Sequence, residues 1–163
     1  MKKCNTELMK DLKEIQELIS HHRFDTIRSS FIVYTSEDRN DIESDFNYEK
    51  SLDELEYLQK EERKIKNILA YSNATTKVDG YDFTIAEGLV YLAQLSSNKA
   101  QLTRLATAEP LKRESNYRGY IEYTRANYDI SKAQNDLAKI NRQIAQLQMA
   151  IDRTNLTNMI DVE

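Results

Sequence analysis

The feature that most constrains this chain is an unbroken seam near its C-terminal end. Ile130, Ala133, Leu137, Ile140, Ile144, Leu147, Ile151 and Thr154 follow one another at alternating steps of three and four. Such spacing keeps one stripe of a helix facing a partner over about three heptads. A strand would need alternation at period two, and none is present here. Between the seam positions stand Lys, Asn, Asp, Arg and Gln, which suit a wet outer face. The pattern predicts a helix near 129–156, roughly 40 Å long at about 1.5 Å per residue.

Three further stretches supply partners for it. Leu8, Leu12, Ile15, Ile19 and His22 repeat the pattern and predict a helix near 5–30. Leu52, Leu55, Leu58, Ile65, Ile68 and Leu69 predict another near 50–72, with the polar Glu62 at a seam position. The helix near 84–108 carries Ile85, Leu89, Leu92, Leu95, Leu102 and Leu105. It begins with Thr84-Ile85-Ala86-Glu87, a capping box in which each end residue satisfies a free backbone N–H. Gly88 lies in its first turn. There it costs about 1 kcal/mol relative to Ala, unless a neighbour needs the space.

The breaks fall at 35–50, 73–83 and 108–119. The second holds Asn73, Thr75 and Thr76, then Asp79-Gly80 as the turn, and leads into Thr84 and Glu87. These seven residues form a candidate structural turn, with small polar side chains suited to capping helix ends. Pro110 is expected to stop the third helix near Glu109. Two stretches rich in β-branched and aromatic residues, Phe31–Thr35 and Tyr120–Thr124, are expected to pair as a short antiparallel ribbon at one end of the bundle. The fold expected for residues 1–163 is therefore one all-α domain. It is an antiparallel bundle of four main helices in coiled-coil hairpins, with a two-stranded β ribbon.

Composition narrows the function. Three Gly, scattered, cannot build a phosphate-cradling loop, and no P-loop, G-x-S-x-G or H-E-x-x-H is present. His21 and His22 are adjacent, so they point about 100° apart and cannot share a face as metal ligands do. The lone Cys4, near the chain end, has no His or Cys neighbour and is expected to be inert. No catalytic, cofactor-binding or metal-ligating residue follows from the sequence, and a non-enzymatic role is expected. No window approaches a membrane span and no export signal is apparent, so the expected setting is the cytoplasm.

The net charge of −4 is unevenly spread. Residues 1–35 balance to +1, 36–62 to −8 and 63–163 to +3. The acidic stretch is a solvated face or a docking surface. Overall acidity argues against bulk nucleic-acid binding, which needs clustered Lys and Arg. One patch runs the other way. Arg113, Tyr117, Arg118, Tyr120, Tyr123, Arg125 and Tyr128 interleave cations with aromatics. Such a patch suits a subunit contact, or stacking and phosphate contacts with a single-stranded nucleic acid or another anionic ligand.

The run Asn73-Ala74-Thr75-Thr76, then Gly80, then Thr84 to Tyr91 resembles the septicolysin-like group of small helical bacterial proteins. So do Tyr123, Asn127-Tyr128-Asp129-Ile130 and the ending Gln148 to Thr157. The likeness spans roughly residues 50–160. It implies a bacterial, coiled-coil-rich protein that self-associates and carries no nucleotide or metal motif. The group's label also implies a membrane-active cytolysin. With a homo-oligomer formed through helix packing, or another protein partner, the leading expectation is a self-assembling scaffold or interaction protein.

Overall fold

A computed structural model of the chain describes residues 1–35, 45–115 and 117–162. Four helices dominate it: α1 (Asn5–Ser29), α2 (Tyr48–Thr75), α3 (Ile85–Ala106) and α4 (Ile130–Thr157). Four short strands, β1 (Lys2–Cys4), β2 (Leu111–Ser115), β3 (Ile121–Arg125) and β4 (Met159–Asp161), form two antiparallel pairs. The fold is mainly α, a helical bundle with short β ribbons. The chain divides into two compact units, Met1–Asn73 with Asn155–Glu163, and Ala74–Thr154.

In the first unit α1 and α2 run antiparallel. Asn5 meets Asn73, Gln16 donates from Nε2 to Glu62 at 3.0 Å, and His22 meets Ser51, so positions rise on one helix as they fall on the other. Leu8 and Ile19 are buried on the α1 seam, and Leu12, Ile15 and His22 are half-buried. The α2 seam is rotated at its start. Leu52, expected inside, is exposed, and Ser51 is buried in its place. Polar contacts decide this: the Ser51 carbonyl lies 2.7 Å from His22 Nε2, and its hydroxyl lies 2.6 Å from Thr26 Oγ1. Farther along, the half-buried Glu62 bonds across to Gln16 and along its own helix to Lys66.

β1 and β4 pair with Lys3 opposite Ile160 and Cys4 opposite Met159. Cys4 is buried there. Its N–H donates to Glu7 Oε2 at 2.8 Å and closes the first turn of α1. Beside it, the buried Asn5 donates from Nδ2 to Asn155 Oδ1 at 3.0 Å and to Asn73 Oδ1 at 3.5 Å. Three asparagines thereby tie the start of α1 to the ends of α2 and α4. Asn5 Oδ1 is buried without a hydrogen-bond partner.

In the second unit α3 and α4 run antiparallel around a core of Val78, Ile85, Leu95, Ile140, Leu147 and Ile151. Every α4 seam position expected from the spacing is buried or half-buried. On α3 the exception is Leu89, which is exposed. Gly88 faces inward instead. A Cβ there would stand 3.2 Å from Phe83, 3.3 Å from Val78 and 3.4 Å from Ile151. The missing side chain is what lets α4 and the preceding turn close on α3. The helix ends at Ala106, three residues before the position expected from Pro110. The chain must leave the helix early because Pro110 already belongs to the base of the β2–β3 hairpin, where its carbonyl accepts from Ala126 N–H at 3.1 Å.

The ribbon differs from expectation in its partner. Ile121–Thr124 of the expected stretch lies on a strand, β3, but β3 pairs with Leu111–Ser115, and Phe31–Thr35 joins no ladder among the described residues. Closing a five-residue loop instead of one of about ninety residues saves roughly four doublings of length, on the order of 2 to 3 kcal/mol. A composition poor in β-branched residues did not prevent β2 from forming once a neighbour stood this close.

The Gly88 contacts predict that Gly88→Val will destabilise the protein. The added Cβ and its two methyl groups must displace Phe83, Val78 or Ile151, at a cost of about 1–3 kcal/mol. Urea unfolding followed by circular dichroism should show a lower midpoint with little change in slope.

Candidate interaction surface

The β2–β3 hairpin carries most of the Tyr/Arg patch. Gly119, at φ 79°, supplies the left-handed residue that its connection needs. The register sets Leu111 opposite Arg125, Arg113 opposite Tyr123, and Ser115 opposite Ile121. Because side chains alternate between faces, these six share one face. Lys112, Glu114, Glu122 and Thr124 take the other. Sequence alone gave this region a blunted positive charge. The pairing sorts it, so that one face holds two arginines and no carboxylate. On the opposite face Lys112 is ion-paired with Glu114, whose hydrogen bond raises the amine above its ordinary range.

Every position of both strands is exposed. On the arginine face Leu111, Ile121 and Tyr123 are 57%, 49% and 62% exposed. The remaining patch residues lie outside the ladder. Tyr117 sits in the connection with the Arg118 guanidinium 5.3 Å from its ring centre, and Tyr120 immediately precedes β3. Tyr128 belongs to the hairpin's base, where its hydroxyl donates to the Leu105 carbonyl at 2.8 Å. The seven candidates are thus not one surface. Arg113, Tyr123 and Arg125 share a face, Tyr117, Arg118 and Tyr120 flank it, and Tyr128 anchors the hairpin to α3.

The candidate turn is built around its ends. Asn73 and Thr75 close α2, and Thr76 accepts from Ile85 N–H at 2.9 Å. Lys77 bridges Thr84, and Val78 N–H donates to the Phe83 carbonyl at 3.0 Å. Gly80, at φ 78°, makes the reversal, and Tyr81 N–H returns to Val78 at 2.9 Å. Asp79 is held from α4: its N–H donates to Thr154 Oγ1 at 2.9 Å, and its carboxylate pairs with Arg153 at 3.2 Å. Thr84 and Glu87 form the expected capping box. Hydrogen bonds from the Thr84 backbone and hydroxyl hold the Glu87 carboxyl below the usual range.

One surface was not anticipated. Gly88 to Asn98 is a run without a single charge. Its inward side fills the core, yet Leu89, Val90, Ala93 and Ser97 are exposed, as are Ala86 and Ala100 beyond Glu87 and Lys99 at its two ends. In α4 the outward positions are Lys132, Asn135, Lys139, Arg142 and Gln146. The signal is present in the sequence as an α3 apolar on two sides, of which the periodic leucines mark only the inward one. A polar recess at the start of α2, lined by His22, Asp25, Asp45, Ser51 and Glu54, is the other concavity of note. His22 is engaged there by Ser51, while His21 is exposed. Among the described residues no group of three or more His, Cys, Asp or Glu is placed to hold a metal ion. Residues 36–44 of the acidic stretch lie outside the described residues.

No family model and no curated protein matches this chain. The fold is similar to the crystal structure of a functionally unknown conserved protein from Corynebacterium diphtheriae. The TM-score is 0.67 at 17% identity, covering 99% of this chain and 100% of that one. That likeness is one of fold.

The capping box gives a pH signature. With its folded-state pKa lowered, Glu87 contributes stability above the ordinary carboxylate range, and that contribution is lost as pH falls through the lowered value. Glu87→Gln should therefore be less stable than the natural protein at neutral pH, and the two should converge in acid. Urea midpoints at several pH values check this; a gap that stays constant would count against it.

Proposed function

We propose that this protein is a non-enzymatic interaction protein that self-associates through the outward face of α3. The observation that carries this reading is the second apolar side of that helix. A helix apolar on all sides is normally buried, and here the uncharged run has a core on one side only. Val90, 60% exposed, and Leu89, 45%, flank the small residues Ala86, Ala93, Ser97 and Ala100. Small residues let two helix axes approach to about 8 Å.

An antiparallel two-fold contact centred on Ala93 sets Ala86 of one copy opposite Ala100 of the other, with Val90 and Ser97 between. A two-fold contact of this kind is self-complementary, the commonest form of association. A cytoplasmic setting belongs to the same reading, supported by the single free, buried cysteine. No helix among the described residues is long and apolar enough to cross a membrane.

Sedimentation velocity and native mass spectrometry test the reading. The natural protein should run as an integer multiple of 19.1 kDa at micromolar concentration. Val90→Glu with Ala93→Glu, both at exposed positions, should lose the α3 pair and run as monomers in high salt, with unchanged helicity. A natural protein that is monomeric there would overturn the reading, as would dye release from anionic vesicles by monomers.

A further inference from the structure

We propose that the arginine face of the β2–β3 hairpin docks on the acidic face of α2 in a second copy of the chain. An isolated two-stranded hairpin is marginal in water and gains stability when one face is covered. Here the strands are exposed throughout; Leu111 and Tyr123 are the neighbours of Arg113 and Arg125 on this face, with Ile121 beyond Tyr123, and all three apolar residues are exposed. Arg113 and Arg125 are diagonal neighbours across the ladder, so their Cβ atoms stand about 7–8 Å apart. The matching surface must offer carboxylates at a similar spacing, interleaved with apolar groups.

The first turns of α2 meet that description. Glu49, Asp53 and Glu56 follow one another at steps of four and three, which sets neighbouring Cβ atoms about 5–6 Å apart. Tyr48 and Leu52 lie along the same ridge and are exposed, as are the three carboxylate residues. The two surfaces are opposite in charge and alike in apolar content, and the difference between about 5–6 Å and about 7–8 Å is within reach of the long Arg and Glu side chains. Single-stranded nucleic acid fits less well. The arginine face carries only two cations, its Leu and Ile offer nothing to a phosphate, and Lys112 lies on the other face beside Glu114.

Hairpin and α2 are different surfaces, so this contact is heterologous. Repeated from copy to copy it closes into a ring or extends as a chain. It goes beyond the α3 pairing and does not depend on it. Being ionic at an exposed rim, it weakens as salt rises.

A charge exchange on the full chain tests it by sedimentation velocity. The natural protein should show a salt-sensitive species beyond any α3 pair. Arg113→Glu with Arg125→Glu, and separately Asp53→Lys with Glu56→Lys, should each lose that species while keeping their helicity. Mixing the two variants should restore it, because each then meets a face of opposite charge. Variants that assemble like the natural protein, or a mixture that fails to recover, would overturn the proposal. So would nucleic acid, seen by absorbance at 260 nm, that co-purifies with the natural protein and is lost only in the arginine variant. Val90→Glu with Ala93→Glu should leave the salt-sensitive species in place, so loss of the α3 pairing alone is distinguishable.

Discussion

The packing of α3 on α4 through Ile85, Leu95, Ile140, Leu147 and Ile151 is the contact on which the rest of the second unit depends. The turn between α2 and α3 has no core of its own. It is held because Val78 enters the same cluster and because Asp79 is fastened to Thr154 and Arg153 on α4. Gly88 makes this closure geometrically available. The hairpin is secured at its base, through Pro110, Ala126 and Tyr128, and every position of its strands is exposed.

The first unit is organised differently. Its seam is thinner, and polar side chains fix where α2 lies against α1. Ser51 with His22 and Thr26 sets one end, Glu62 with Gln16 the middle, and Asn5 with Asn73 the other end. Hydrogen bonds of this kind add only about 0.5–1.5 kcal/mol each. Because a shift of register would leave the part-buried groups of Ser51, His22 and Asn5 without these partners, they select one alignment out of several that a leucine seam would tolerate. The same logic makes Asn5 costly: one amide oxygen is left unmatched so that its nitrogen can hold two other helices.

Much of the helical plan was legible because period is a direct consequence of burial. The α4 seam and the Thr84–Glu87 box are local patterns, and local patterns survive folding. Leu52 and Leu89 misled because an apolar residue next to the true inward position satisfies the same spacing within one step. What decides between neighbours is a long-range fact, Ser51 meeting His22 or Ile151 meeting Gly88. The hairpin was half legible. Ile121 to Thr124 looks like a strand, whereas Leu111-Lys112-Arg113-Glu114-Ser115 does not, and its state is imposed by its neighbour. Sorting the patch into a basic face and an acidic one needed the register, which no composition reveals. The seven patch residues accordingly divided among a face, a loop and an anchor.

The β1–β4 pair brings Met1 against Val162, with the Val162 N–H donating to the Met1 carbonyl at 2.8 Å. A pairing between residues this far apart along the chain contributes nothing until nearly everything between them is ordered, since loop closure must precede its reward. Three residues per strand are too few to drive such a closure. The pair therefore belongs to the final stage of folding, after the helical hairpins have formed, and it is the first long-range link to be released when they loosen.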